Sequence, residues 1–315
     1  MRTALLSVVL IVTASSASAA CCDDFVAIKF PGTPYAGALR GDVLLCANNI
    51  EKFFALDLKR GKLFDLGKTT NRRWSDADVA DGQVLLIAGE RLQTINLEDG
   101  KLIHDLPLGA ERVFTFGFAG KGKAFVQRRR TVDILDLATG KTLNSIKVDD
   151  KDDFWYTFNY QRVGNRLFLP GAATTIYVID LEAGKICDRL PIDSRAGVSA
   201  LHVEGSLIYC RGPQFSWVPN DHITCFDMES KKTFSSHSTG VRRATGRFAS
   251  GPYGSIYSFY GDRIDRFTMV GEHCGTFATP NKETVLAVWQ QRAVVAAMNE
   301  VRVMEIRETA VAVKK

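Results

Sequence analysis

The sequence predicts an all-β fold, a seven-bladed β-propeller of four-stranded antiparallel blades whose ring is closed by the N-terminal strand. Three observations predict it. A strand–turn–strand phrase recurs about every forty residues, two further short strands precede each copy, and a surplus strand near the N-terminus matches a missing strand in the last unit.

In chain order, the first segment is an address. Arg2 precedes an apolar run from Ala4 to Val12 and a small-residue stretch from Ala14 to Ala20, the charged, apolar and cleavable order of a secretory signal. Crossing a bilayer takes about 20 apolar residues, so no transmembrane span is expected. Residues 1–20 are read as the signal peptide, 21–310 as a single propeller domain and 311–315 as a tail. Two processing readings compete. Cleavage after Ala19 gives a soluble secreted or periplasmic protein, whereas cleavage before Cys21 makes that cysteine a lipidation candidate and the chain a membrane-anchored lipoprotein. Ser18-Ala19-Ala20-Cys21 resembles a lipoprotein box without its leading Leu, and soluble export is the favoured reading.

Next comes Phe25 to Phe30 (FVAIKF), a strand without a unit of its own. The phrases follow: FFALDLKRGKLFDL from Phe53, LQTINLEDGKLIHDL from Leu92, VDILDLATGKTLNSI from Val132 and IYVIDLEAGKICDRL from Ile176. Asp57, Asn96, Asp136 and Asp180 anchor the turns, and Gly61, Gly100, Gly140 and Gly184 follow each by four residues. An Asx side chain accepts a backbone N–H two residues on, and Gly supplies a positive φ, so the chain reverses there. Weaker copies begin at Ile223, Ile264 and Val301; in the fifth Lys231 stands at the glycine position, and in the sixth Gly271 is shifted by one. The expected upstream strands are Asp76–Ala80 and Gln83–Ala88, Val113–Ala119 and Lys123–Gln127, and Thr157–Val163 and Arg166–Leu169. Seven units result. The seventh lacks a fourth strand, which FVAIKF is expected to supply, removing sheet edges that would invite aggregation.

Composition limits the function classes. With 46% hydrophobic residues in 315, the chain has material for a large core without staples, and a net charge of +5 is too weak for a dedicated nucleic-acid binder. Of seven cysteines, Cys46, Cys187, Cys210, Cys225 and Cys274 show no metal-type pairing. Cys210 and Cys225 flank one hairpin; two buried small residues are expected there rather than a bridge.

The ALDLKRGK and ILDLATGK phrases resemble the repeats of the pyrroloquinoline-quinone-type propellers, and the resemblance covers nearly all of the mature chain. It implies either a quinone-dependent dehydrogenase, with pyrroloquinoline quinone and calcium as cofactors, or a non-catalytic envelope lipoprotein. The family's Trp four residues after the Gly is replaced here by Asp65, His104, Asn144 and Asp188.

No catalytic site assembles from local spacing. The five histidines lack ligand spacing, and there is no G-x-S-x-G elbow and no phosphate-cradling loop. A propeller hydrolase or lactonase would instead gather single residues from several blades. The reading is therefore a non-catalytic scaffold with no cofactor, binding an envelope protein or an anionic glycan; a quinoprotein oxidoreductase is the alternative. Loops joining second to third strands and loops between blades open on one face. There the sequence places Arg72, Arg73 and Trp74, Arg128, Arg129 and Arg130, Trp155 and Tyr156, Trp217, and Arg242 and Arg243. Arginine with aromatic side chains is the composition of binding hot spots. Surface arginines in turns are also often merely solvated, and Trp74 or Trp155 could begin a buried strand. Trp289 is expected either to line the channel or to pack in the core.

Overall fold

A computed structural model describes residues 26–48, 52–68, 77–148, 160–171, 175–192, 200–211, 222–238, 247–268, 272–307 and 309–310. They form seven antiparallel sheets, six of four strands and one of five; five of the sheets are built wholly from consecutive hairpins, and two take in a strand from elsewhere in the chain. The seven first strands are Pro34–Arg40, Ala77–Ala80, Thr115–Gly120, Gln161–Val163, Ala200–Glu204, Arg247–Ser250 and Thr284–Trp289. These inner strands meet around a common axis: the chain is a seven-bladed β-propeller.

The second strands carry a nearly continuous apolar run, as in Val43–Asn48, Gln83–Ala88 and Arg292–Ala297. Such a strand is covered on both faces. The reason is visible in the packing, where every blade is sandwiched between two others. Seven apolar clusters fill the seven seams, one between each pair of neighbouring blades. Outer strands, with one face in water, are largely exposed, as in Thr142–Lys147.

Ring closure follows the sequence expectation. Val26–Lys29 pairs antiparallel with the third strand of blade 7, from Val26 opposite Val303 to Lys29 opposite Glu300. Phe30 then donates its N–H to Asn299 O at 2.8 Å and buries its ring edge-on to Phe54, centroids 4.8 Å apart. Thr309–Ala310 was not foreseen: it adds a fifth strand outside His273–Ala278 of blade 6. Nor was the short 3₁₀ turn Pro252–Gly254, which lengthens that blade's first hairpin.

The Asx side chains do accept turn N–H groups, though at Asp57, Asp136 and Asp180 the bonds below reach three residues on rather than the expected two. Asp57 accepts Arg60 N at 2.9 Å, Asn96 accepts Glu98 N at 2.7 Å, Asp136 accepts Thr139 N at 2.7 Å and Asp180 accepts Ala183 N at 2.8 Å. In the fifth unit Lys231 adopts φ +57°, the left-handed conformation that Gly61 and Gly184 take at φ +63° and +62°.

Two of the positions four residues after a turn glycine, Asn144 and Asp188, reach the next blade. Asn144 of blade 3 presses on the turn of blade 4, where a Cβ on Gly184 would fall 2.2 Å from its Nδ2. Asp188 of blade 4 forms an ion pair with Lys231 in the turn of blade 5. Neighbouring turns are thus docked by polar side chains.

Cys210 and Cys225 are both buried thiols on opposite faces of blade 5, one in the seam with blade 4 and the other in the seam with blade 6. A bridge between them is excluded by the alternation of strand side chains.

Candidate functional site

One of the expected arginine loops lies among the described residues. Arg128, Arg129 and Arg130 lie between the second and third strands of blade 3, as expected. Arg128 is folded back: its side chain is 11% exposed, pairs with Asp133 and with Glu111 at 3.2 Å, and donates to Leu108 O at 3.0 Å. Arg129 and Arg130 are exposed. Arg72, Arg73, Trp74, Trp155, Tyr156, Trp217, Arg242, Arg243 and Cys21 lie outside the described residues.

What the structure does bring together lies on the axis. A cavity of about 480 Å³ occupies the central channel and reaches the first hairpin of blade 1 at Gly41. Among the described residues, Arg40, Arg162 and Arg247 contribute three guanidiniums to its wall and Asp78 one carboxylate. Arg40 comes from the end of blade 1's inner strand, Asp78 from blade 2, Arg162 from blade 4 and Arg247 from blade 6.

Each of these side chains also crosses a seam. Arg40 Nε donates to Asp78 Oδ1 at 3.1 Å, and Asp78 Oδ2 accepts Phe118 N of blade 3 at 2.8 Å. Arg162 Nη1 donates to Phe118 O at 2.9 Å. Gln161 clamps blade 5 from both sides, accepting Val203 N at 2.6 Å and donating to Val203 O at 3.1 Å. Ser250 of blade 6 donates to Glu204 of blade 5. Arg247 Nη1 donates to Leu286 O of blade 7 at 3.3 Å, and Trp289 Nε1 returns to Asp42 of blade 1 at 2.9 Å. The contacts form a complete hoop through all seven blades. Trp289 also packs on the apolar cluster between blades 7 and 1, the core alternative of the sequence expectation.

The electrostatics of the wall follow from burial in a low-dielectric ring. Burial, and after it the charge of Arg40, lowers Arg247 to about 9. Burial also pulls Arg40 down, but Tyr160 and Asp78 outweigh it and leave its pKa raised. Arg40 lies over the Tyr160 ring, 5.3 Å from its centroid. Burial, then Asp78, pushes the Tyr160 phenol up, so it stays protonated; its hydroxyl faces Asp78 across Gly117 without hydrogen-bond geometry. Gly117 makes that arrangement possible, since a Cβ there would fall 2.4 Å from Tyr160 Oη and 2.8 Å from Asp78 Oδ2.

At the rim, His202 Nε2 lies 3.2 Å from Glu204 Oε2 and 3.3 Å from Ser250 Oγ. Burial lowers the imidazole pKa, with Glu204 opposing. A serine hydrolase needs its carboxylate on Nδ1 and its nucleophile on Nε2. Here both partners meet the same nitrogen, so the trio is a seam contact rather than a relay. Among the described residues no group of three or more His, Cys, Asp or Glu could hold a metal ion, and no helix is long and apolar enough to cross a membrane.

Sequence reasoning missed Arg40, Asp78, Tyr160, Arg162 and Arg247. The available signal was a charged residue within a short inner strand, as in Asp78 and Arg247. Compared with known proteins, the chain matches no family model, and no curated protein matches it in sequence.

Proposed function

We propose that this protein is an exported, non-catalytic binding propeller of the cell envelope, which holds an acidic group of a protein or glycan partner in its central cavity. The observation that carries the reading is the wall: among the described residues it sets three guanidiniums against one carboxylate, which already accepts from Arg40 and Phe118 N–H. An excess of positive charge between low-dielectric walls attracts and retains anions. Export rests on the leader-like residues 1–20, with Cys21 as the point of anchoring if it is lipidated. The arginine and aromatic loops, from Arg72 to Arg243 but without the folded-back Arg128, are the surface proposed to receive the body of the partner. The test is capture from an envelope extract on immobilised protein. Acid-rich partners are expected to be retained at low salt, released by salt and reduced by Arg247→Gln; capture indifferent to both would overturn the reading.

The repeat phrases support a second reading, a quinoprotein-type oxidoreductase. Docking of Asn144 on the Gly184 turn and of Asp188 on Lys231 places polar residues where that family docks tryptophan. Arg40, Arg162 and Arg247 are suited to the carboxylates of pyrroloquinoline quinone. Calcium does not fit, because three guanidiniums repel it and calcium takes six to eight oxygen ligands. An absorption scan of protein purified from its native envelope tests this reading; a chromophore absent from the Arg247→Gln variant would favour it over the first.

A further inference from the structure

We infer that the central cavity is a site for a discrete organic oxyanion, a small molecule carrying a carboxylate or phosphate group seated between Arg40 of blade 1 and Arg247 of blade 6. The inference rests on the anion-binding reading above and adds to it the size of the ligand and its place.

Size comes first. A cavity of about 480 Å³ falls among those that enclose whole organic ligands, roughly 300–1,000 Å³, and is far larger than an inorganic ion needs. The wall is mixed as such a ligand requires. Ala38, Ala249, Ala287 and Val288 offer small apolar surface, while Gln161 and Ser250 add polar groups.

Position follows from how the arginines are held. Arg40 is fixed by Asp78 and by the Tyr160 ring, and Arg247 is anchored to Leu286 O. Each guanidinium has five N–H donors in a rigid fork, so anchoring part of the fork orients the rest. Oriented forks bind planar oxyanions in bidentate fashion without paying for rotamer ordering. The two arginines feel each other, since after burial the charge of Arg40 lowers Arg247. An oxyanion between them removes that repulsion, and among the described residues Asp78 is the one carboxylate that lines the cavity. Entry is along the axis, because the seam contacts close the lateral walls.

The experiment is calorimetric titration of the full chain at low ionic strength with glucuronate, glucose 6-phosphate, glucose and inorganic phosphate. The two anionic sugars share a body with glucose and separate carboxylate from phosphate recognition. One or both are expected to bind at one per chain, glucose is expected not to bind, and inorganic phosphate is expected to bind at least tenfold more weakly than the better sugar. Arg247→Gln should weaken binding at least tenfold. Arg162→Gln, on the exposed part of the wall, should weaken it by a smaller factor while keeping the fold. Should Arg247→Gln fail to fold, the wild-type melt serves: it should rise with the bound sugar and not with glucose or sodium chloride of equal ionic strength. Binding of glucose as tight as that of the anions, or anion binding unchanged in the folded variants, would overturn the inference. So would the absence of binding by both anionic sugars; if envelope capture still depends on Arg247, the proposed function survives that result, and if it does not, both fall.

Discussion

Replacing Phe30 by Ala probes the seam where the two ends of the chain meet. Phe30 is 3% exposed and belongs to a cluster that joins blade 7, through Leu286, Val294, Val301 and Val303, to blade 1, through Leu44, Phe54 and Leu56. Its backbone bond to Asn299 O survives the substitution, so the change isolates the side chain. Removing a buried phenyl ring costs roughly 3–5 kcal/mol, transfer and cavity together. Against a domain stability of about 5–15 kcal/mol, that is a large share from one residue of a four-residue strand and its flank. Equilibrium urea unfolding followed by circular dichroism measures it, with Tyr253→Ala, at a fully exposed position, as the control. The midpoint should fall while the slope stays constant, since the same surface is exposed on unfolding. A loss below about 1 kcal/mol, no greater than that of the control, would mean that the N-terminal strand is not what closes the ring.

Gly117→Ala should destabilise by about 1–3 kcal/mol, because its Cβ meets Tyr160 Oη at 2.4 Å and Phe125 at 2.7 Å; thermal melting measures the loss, and a melt equal to wild type would show that the wall can yield. Lys231→Gly should stabilise by up to about 1 kcal/mol, relief of the positive φ exceeding loss of the exposed pair with Asp188, whereas Lys231→Val should destabilise; denaturant midpoints compare the two. Asp227 is held at about 2, first by the Ser230 hydroxyl and then, against some burial, by the Glu229 and Ser230 N–H groups. A carboxyl with a depressed folded pKa stabilises above its unfolded value near 3.9 and loses that contribution as pH falls toward 2. Asp227→Asn keeps the acceptor, as Asn96 does in blade 2, and should flatten the stability profile between about pH 4 and pH 2 in acid unfolding curves.

The fold was legible because its determinants are local. An Asp or Asn and a Gly four residues apart close a turn with their own neighbours, and the deficit in the seventh unit pointed to Val26–Lys29 by counting strands. The channel was not legible for the opposite reason. Arg40, Asp78, Arg162 and Arg247 come from four different blades, and each looks like an isolated charge until the ring brings them together. Arg128 shows the converse: in sequence it belongs to a run of three loop arginines, whereas in space Asp133 and Glu111 draw it back onto its own blade. The Thr309–Ala310 strand gives no signal, since two residues carry no periodicity.

The polar stitches around the axis have a mechanical consequence. A stave barrel is only as tight as its band, and here the band is made of the same side chains that line the bore. Arg40 and Arg247 each belong at once to the lining and to a joint between neighbouring staves. Anything that enters the bore and grips them therefore pulls on joints at opposite ends of the chain, and tightens the whole barrel rather than one stave.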